Sequence, residues 1–170
     1  MNIQGYESLD LVMERGKKAF NPAEFEVVAN ETRALILDTR RPEDFAKGFI
    51  PNSINIGLES NFAMWVGELI ADIKQEILLV TYPGKEEESI IRLSRVGYDH
   101  AIGYLDGGFD SWVKSGKEID QSNRITAEEL AVQMGHKKVI LIDVRKKSEY
   151  LSEHVENAIN IPLNEISNRM

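Results

Sequence analysis

The chain has 170 residues, with 20 lysines and arginines against 28 aspartates and glutamates, and no cysteine. The length suits one ordinary domain, or one domain and part of a second, and 42% hydrophobic residues can build a core without a disulfide or metal staple. Lack of cysteine excludes a disulfide, a thiolate nucleophile, a persulfide carrier and a cysteine-ligated metal, and a net charge of −8 without a basic run argues against a nucleic-acid partner.

Residues 1–21 read as a lead-in, with a short helix behind Ser8 that carries Leu9, Val12 and Met13. Asn21-Pro22-Ala23-Glu24 is a helix start, with Asn as N-cap and Pro in the first turn, and the helix should run to about Ala29. Ala34 to Leu37 is a short apolar run before Asp38, which predicts a strand buried on both faces. A short helix over Pro42 to Lys47, a strand over Ser53 to Ile56 and an amphipathic helix over Asn61 to Ile70 follow. Ile77 to Val80 is a second fully apolar strand, Tyr82 to Lys85 a turn, and Glu86 to Val96 a helix closed by Gly97. Ala101 to Leu105 is a strand and Phe109 to Lys114 a last short helix, in which Trp112, like Trp65 earlier, is expected in the core. Strands alternating with helices imply an α/β fold, a parallel sheet with helices on both faces. Lys117 to Asn123 reads as a linker. Thr126 and Glu129 then form a capping box, and Val139 to Ile142 restarts the strand pattern.

Laying residue n on n + 105 matches residues 34–58 to 139–163 without a gap. Asp38, Arg40, Asn52, Ile54, Asn55, Ile56 and Leu58 are identical to their partners. The organisation expected is a lead-in over 1–21, a full domain over 22–120 and the first part of a second copy over 121–170. The second copy should extend to about position 225, so the stop at Met170, after Asn164 to Arg169 in an expected helix, reads as a truncation. Its Val139–Ile142 strand would lack sheet neighbours, which predicts a homodimer or a strand exchange.

Asp38-Thr39-Arg40, Asp44-Phe45, Gly48 to Pro51 and Ser53 to Ile56 resemble the first signature of the rhodanese (sulfurtransferase) domain. Asp143-Val144-Arg145, Glu149-Tyr150, His154-Val155 and Asn157 to Leu163 resemble it again. Gly97-Tyr98-Asp99, Tyr104 to Phe109 and Trp112 look like its closing signature. More finely, the Gly5 to Phe25 lead-in, the Phe62 to Gly67 helix and the Pro83 to Glu88 loop resemble the C-terminal tandem region of metallo-β-lactamase-fold hydrolases of the persulfide-dioxygenase type. That resemblance implies a metallo-β-lactamase-fold domain as partner in a parent protein. No metal or cofactor is expected in this chain, because His100, His136 and His154 are far apart and lack ligand spacing.

In active members of the resembled family a cysteine follows the fourth strand and opens a loop whose amides cradle an anionic sulfur. The corresponding stretch is Thr81, Tyr82, Pro83, Gly84, Lys85 and Glu86, with the cysteine place at Thr81 or Tyr82. A hydroxyl of Thr81 or Ser89 would need an adjacent base, and no histidine is near in sequence. Pro83 offers no N–H, and Glu86-Glu87-Glu88 place negative charge where an anion would sit, offset only in part by Lys85 and Arg92. Asp38 and Arg40, and Asp143 and Arg145 in the repeat, are expected to frame the loop; no catalytic residue is assigned.

The expected function is a non-catalytic scaffold or regulatory module of a larger sulfur-metabolising metallo-hydrolase. The alternative is a fragment of a thiosulfate or persulfide sulfurtransferase whose cysteine lies beyond residue 170, near 186. A phosphatase-like or anion-sensing domain fits the loop chemistry poorly. Without an apolar stretch of the ~20 residues a membrane helix needs, and with no leader features in Met1 to Gly5, the expectation is a cytoplasmic protein with no membrane partner.

Overall fold

The computed structural model describes residues 8–136 and 139–166. The chain divides into two compact units, residues 1–123 and 124–170.

Unit 1 runs α1 (Leu9–Gly16), β1 (Ala19–Phe20), α2 (Pro22–Thr32), β2 (Leu35–Asp38), α3 (Pro42–Lys47), β3 (Ile54–Asn55), α4 (Phe62–Leu69), β4 (Ile77–Val80), α5 (Glu86–Ser94), β5 (Ala101–Leu105) and α6 (Gly108–Lys114). The five strands form one parallel sheet in the order β1-β5-β4-β2-β3. β4 is central, and all four of its residues are fully buried. Its alternate side chains serve opposite faces. Ile77 and Leu79 meet Val12 of α1, Val66 of α4 and Leu93 of α5. Leu78 and Val80 meet Phe25 of α2 and Trp112 of α6. A strand buried on both faces has no polar side to show, so its sequence is a continuous apolar run.

Residues 8–20, within the expected lead-in, pack on unit 1 and supply one of its strands. β1 pairs in parallel with β5, and Ser8 caps α1, whose Val12 lies in the core. Gly103 makes the pairing with β1 possible: a Cβ there would sit 2.6 Å from the Lys18 carbonyl. The expected linker is also bound to unit 1. Phe49 and Asp120 exchange backbone hydrogen bonds at 2.9 Å, and Trp112 Nε1 donates to the Glu118 carbonyl at 2.8 Å. The α2 start is as expected, a capping box between Asn21 and Glu24, but the helix continues to Thr32. α5 ends at Ser94, and Gly97 (φ 87°) makes the turn beyond it.

Unit 2 holds α7 (Ala127–His136), β6 (Ile142–Asp143), α8 (Lys147–Ser152), β7 (Ile159–Asn160) and a 3-10 turn over Leu163–Glu165. The helix expected at its end reaches residues 167–170, which lie outside the described residues. β6 and β7 pair in parallel, Ile142 on Ile159 and Asp143 on Asn160. This is the β2–β3 register, Leu37 on Ile54 and Asp38 on Asn55, moved by 105 positions. Thr126 and Glu129 close a capping box through the Thr126 N–H (2.7 Å) and the Glu129 N–H (3.2 Å). Among the described residues no helix is long and apolar enough to cross a membrane.

Candidate functional site

In an open parallel sheet the polar crevice lies beyond the carboxyl ends of the strands. Here Asp38, Thr39 and Arg40 leave β2 and Thr81 leaves β4, and all four are buried. Asp38 and Arg40 form a closed clamp. The Arg40 Nε lies 3.0 Å from both Asp38 oxygens, its Nη2 donates to Oδ2 at 2.6 Å, and its backbone N–H donates to Oδ1 at 2.9 Å. The same Nη2 reaches the Gly48 carbonyl at 2.9 Å, and the guanidinium stacks on the Phe109 ring at 4.1 Å. Arg40 therefore ties the end of β2 to the end of α3 and the start of α6. Asn55 completes the frame, its Nδ2 donating to the Asp38 and Arg40 carbonyls at 2.9 Å each. Burial pushes the Asp38 carboxyl up from its ordinary value, against the pull of Arg40.

The loop from Thr81 to Lys85 lies over this frame. Thr39 Oγ1 lies 3.3 Å from Ser89 Oγ, and Ser89 donates to the Lys85 carbonyl at 2.8 Å. The Thr81 hydroxyl is buried and has no hydrogen-bond partner among the described residues. Gly108 lets the backbone close on this point, since a Cβ there would stand 2.6 Å from the Thr81 carbonyl at φ 61°. Tyr82 straps the loop to α3: its Oη donates to Asp44 Oδ2 at 2.6 Å and accepts from the Arg41 N–H at 3.2 Å. Desolvation and Asp44 raise the Tyr82 pKa, while Lys47 first and Tyr82 second hold Asp44 low. Tyr82 lines both a cavity of about 450 Å³ toward Leu58 and Arg92 and one of about 370 Å³ toward Arg40 and Phe109.

Charge in the loop is already satisfied. The Glu86 carboxylate accepts from the Gly84 N–H at 3.1 Å, so a side chain of the loop itself takes an amide that an anion would use. Glu87 pairs with Lys17 at 2.5 Å. Around the larger cavity, Arg41 pairs with Glu59 (3.0 Å), and Lys85 (2.8 Å) and Arg92 (2.7 Å) both pair with Glu88. Arg92 also donates to the Leu58 carbonyl at 2.6 Å. Pro83 is exposed and Gly84 adopts φ 84°. Among the described residues no group of three or more His, Asp or Glu side chains is placed to hold a metal ion.

Unit 2 repeats the frame without the loop. Arg145 grips Asp143 (Nη2–Oδ2 2.6 Å, Nε to both oxygens 3.1 Å) and reaches the Glu153 carbonyl at 2.8 Å. Asn160 Nδ2 donates to the Asp143 carbonyl at 3.0 Å and the Arg145 carbonyl at 2.9 Å. Asn52 and Asn157 both adopt left-handed backbone, φ 63° and 64°. Three of the seven identities between the repeats, Asp38, Arg40 and Asn55, are thus the side chains of one hydrogen-bonded device. The sequence singled out Asp38 and Arg40 but not the Tyr82 strap, for which the repeat offers no partner. Asn55 was visible as an identity with Asn160, though not as the brace it proves to be.

Helices on both faces of a parallel sheet, with a short loop set over the carboxyl end of its central strand, define an open α/β domain with one polar crevice. A family model for the rhodanese-like domain matches residues 21–115 and again residues 126–170, and the chain belongs to that family. The solution structure of the rhodanese-like domain of an Anabaena protein, Alr3790, is 16% identical with a TM-score of 0.52, covering 62% of this chain and 79% of that one. The wild-type structure of EanB is 14% identical with a TM-score of 0.52, over 89% of this chain and 41% of that one. The thiosulfate sulfurtransferase of Pseudomonas aeruginosa is 20% identical with a TM-score of 0.49, over 94% of this chain and 37% of that one.

Proposed function

We propose that unit 1 is a non-catalytic rhodanese-like module, a scaffold or regulatory part of a larger sulfur-metabolising hydrolase with a metallo-β-lactamase-fold domain. One observation carries the loss of catalysis: the residue leaving β4 is the buried Thr81, and the Glu86 carboxylate already occupies the Gly84 amide of the loop that follows. A threonine hydroxyl cannot hold a persulfide, and without a neighbouring base it is a weak nucleophile. Thiosulfate entering here would meet three paired cations and an internal carboxylate. The link to a metallo-hydrolase rests on the resemblance of the Gly5 to Phe25 lead-in, the Phe62 to Gly67 helix and the Pro83 to Glu88 loop, and it assigns metal chemistry to the other domain. The purified chain should read background in a thiosulfate:cyanide sulfurtransferase assay, and clear turnover would overturn the proposal.

The intact Asp143–Arg145–Asn160 frame favours a second reading, in which the chain is part of a sulfurtransferase with its cysteine past residue 170. A chain extended beyond position 186 separates the two readings: sulfur transfer by it supports the second, background the first.

A further inference from the structure

We propose that the cavity of unit 1 on the Leu58 and Arg92 side of Tyr82 binds a small zwitterion of the short-peptide class, with its carboxylate at Lys85 and Arg92 and its ammonium at Glu43 and Glu59. This deepens the reading of unit 1 as a module without sulfur-transfer chemistry, and rests on it in that the ligand is released unchanged.

The cavity lies beyond the carboxyl ends of β2 and β4, where open α/β sheets take their ligands. Its volume of about 450 Å³ falls within the roughly 300–1,000 Å³ of small-molecule sites. Tyr82 forms one wall, and Asp44 and the Arg41 N–H hold its Oη, so that wall is in place before a ligand arrives. The charges of the lining are divided by element. At the start of α5 and along it, Lys85 and Arg92 share one carboxylate, Glu88, at 2.8 and 2.7 Å. At the start of α3 and in the segment after β3, Glu43 and Glu59 stand with one cation, Arg41, which grips Glu59 through Nε and Nη2 at 3.0 Å each. The lining is thus neutral in sum, positive on the α5 side and negative on the α3 side. Neighbouring carboxylates are engaged elsewhere: Asp44 with Lys47 and Tyr82, Glu86 with the Gly84 N–H, and Glu87 with Lys17.

This polarity selects the ligand. The side chains of Arg41 and Glu59 are 60% and 73% exposed, so their pairing adds little to folding and yields to a ligand at little cost. Arg41 holds the Glu59 carboxyl below its ordinary value, and Lys85 does the same for Glu88, so both are ionised at neutral pH. An anion alone would meet Lys85 and Arg92 at one end but Glu43 and Glu59 at the other, and a cation alone would meet the reverse. A molecule with both charges suits both sides. Because Lys85 and Arg92 share Glu88, a ligand carboxylate takes one of them and leaves Glu88 paired with the other. An ammonium adds a second cation where two carboxylates stand with one. Arg92 is already aimed, since its Nη1 donates to the Leu58 carbonyl at 2.6 Å. The buried Leu58 side chain and Pro42 give the short apolar middle of such a ligand a surface to lie on.

Trialanine carries the two charges and no polar side chain, which makes it the probe. Titrated into the nitrogen-labelled full chain and followed by NMR, it should give saturable shifts at the Glu59 and Ser60 amides. N-acetyl-trialanine and trialanine amide each lack one charge and should bind ~10-fold more weakly, the loss of one charged hydrogen bond. Glu59→Gln, at an exposed position that folding does not require, should weaken trialanine and narrow the gap between it and its acetylated form. The proposal is overturned if the Glu59 and Ser60 amides show no saturable shift at the highest soluble peptide concentration, if the capped peptides bind as well as trialanine, or if the Glu59→Gln chain keeps the full preference for a free N-terminus. Peptide binding and sulfur transfer are measured separately, so its failure is distinguishable from turnover in the sulfurtransferase assay, which would overturn the functional reading instead.

Discussion

The same carboxylate–guanidinium clamp occurs twice in this chain and behaves differently each time. Arg40 and Asp38 keep 7% and 1% of their side-chain surface, whereas Arg145 and Asp143 keep 48% and 11%. Burial dominates at Asp38 and raises its pKa; at Asp143 the hydrogen bonds from Arg145 dominate and lower it. Carboxyl titration followed by NMR should therefore place Asp38 above 3.8 and Asp143 below it. The stability that Asp143 contributes is present above its unfolded pKa and lost as pH falls through the folded one; Asp38 has the opposite sign, its carboxylate being better tolerated unfolded. Arg40→Ala leaves a buried carboxylate unpaired and should cost unit 1 about 3–5 kcal/mol in denaturant unfolding. Arg145→Ala should cost unit 2 less than that, because the guanidinium is half exposed and its pairing is screened by water. Tyr82→Phe should raise the Asp44 pKa toward its ordinary value without reaching it, since Lys47 still holds that carboxylate.

Among the elements, those with a strong local signal were readable in advance. Ile77–Val80 and Ala101–Leu105 fall where the apolar runs put them, and Pro42–Lys47 falls between its proline and Gly48. β1 was not readable, because Ala19–Phe20 has no run or alternation of its own and becomes a strand only through its pairing with Tyr104 and Leu105. The segment after α6 reads as a linker because its residues are polar; its order comes from the Phe49 backbone, which pairs with Asp120, and from the Trp112 indole N–H, which donates to the Glu118 carbonyl. Tyr82 was placed in the right loop, but its partner Asp44 is 38 positions away, a separation at which one sequence shows no pairing. Gly108→Ala should destabilise unit 1 even though alanine favours helices, because the new methyl meets the Thr81 carbonyl; a lower thermal midpoint than wild type is expected.

Across the whole molecule, the repeat organises everything else. Unit 1 has two apolar clusters, one on each face of its sheet, whereas among the described residues of unit 2 Ala158 is the only buried apolar side chain. Hydrogen exchange should therefore show β4 amides protected to the level of global unfolding, with the α7 amides opening far earlier. Both units keep the frame made by aspartate, arginine and asparagine, and in unit 1 that frame carries a loop without a nucleophile whose Gly84 amide is taken by Glu86. Thiosulfate titrated into the nitrogen-labelled chain, with the Gly84 and Lys85 amides followed by NMR, measures that condition directly. No saturable shift is predicted at either amide; a saturable shift at both would show that the loop still seats an anion and would contradict the proposed loss of function.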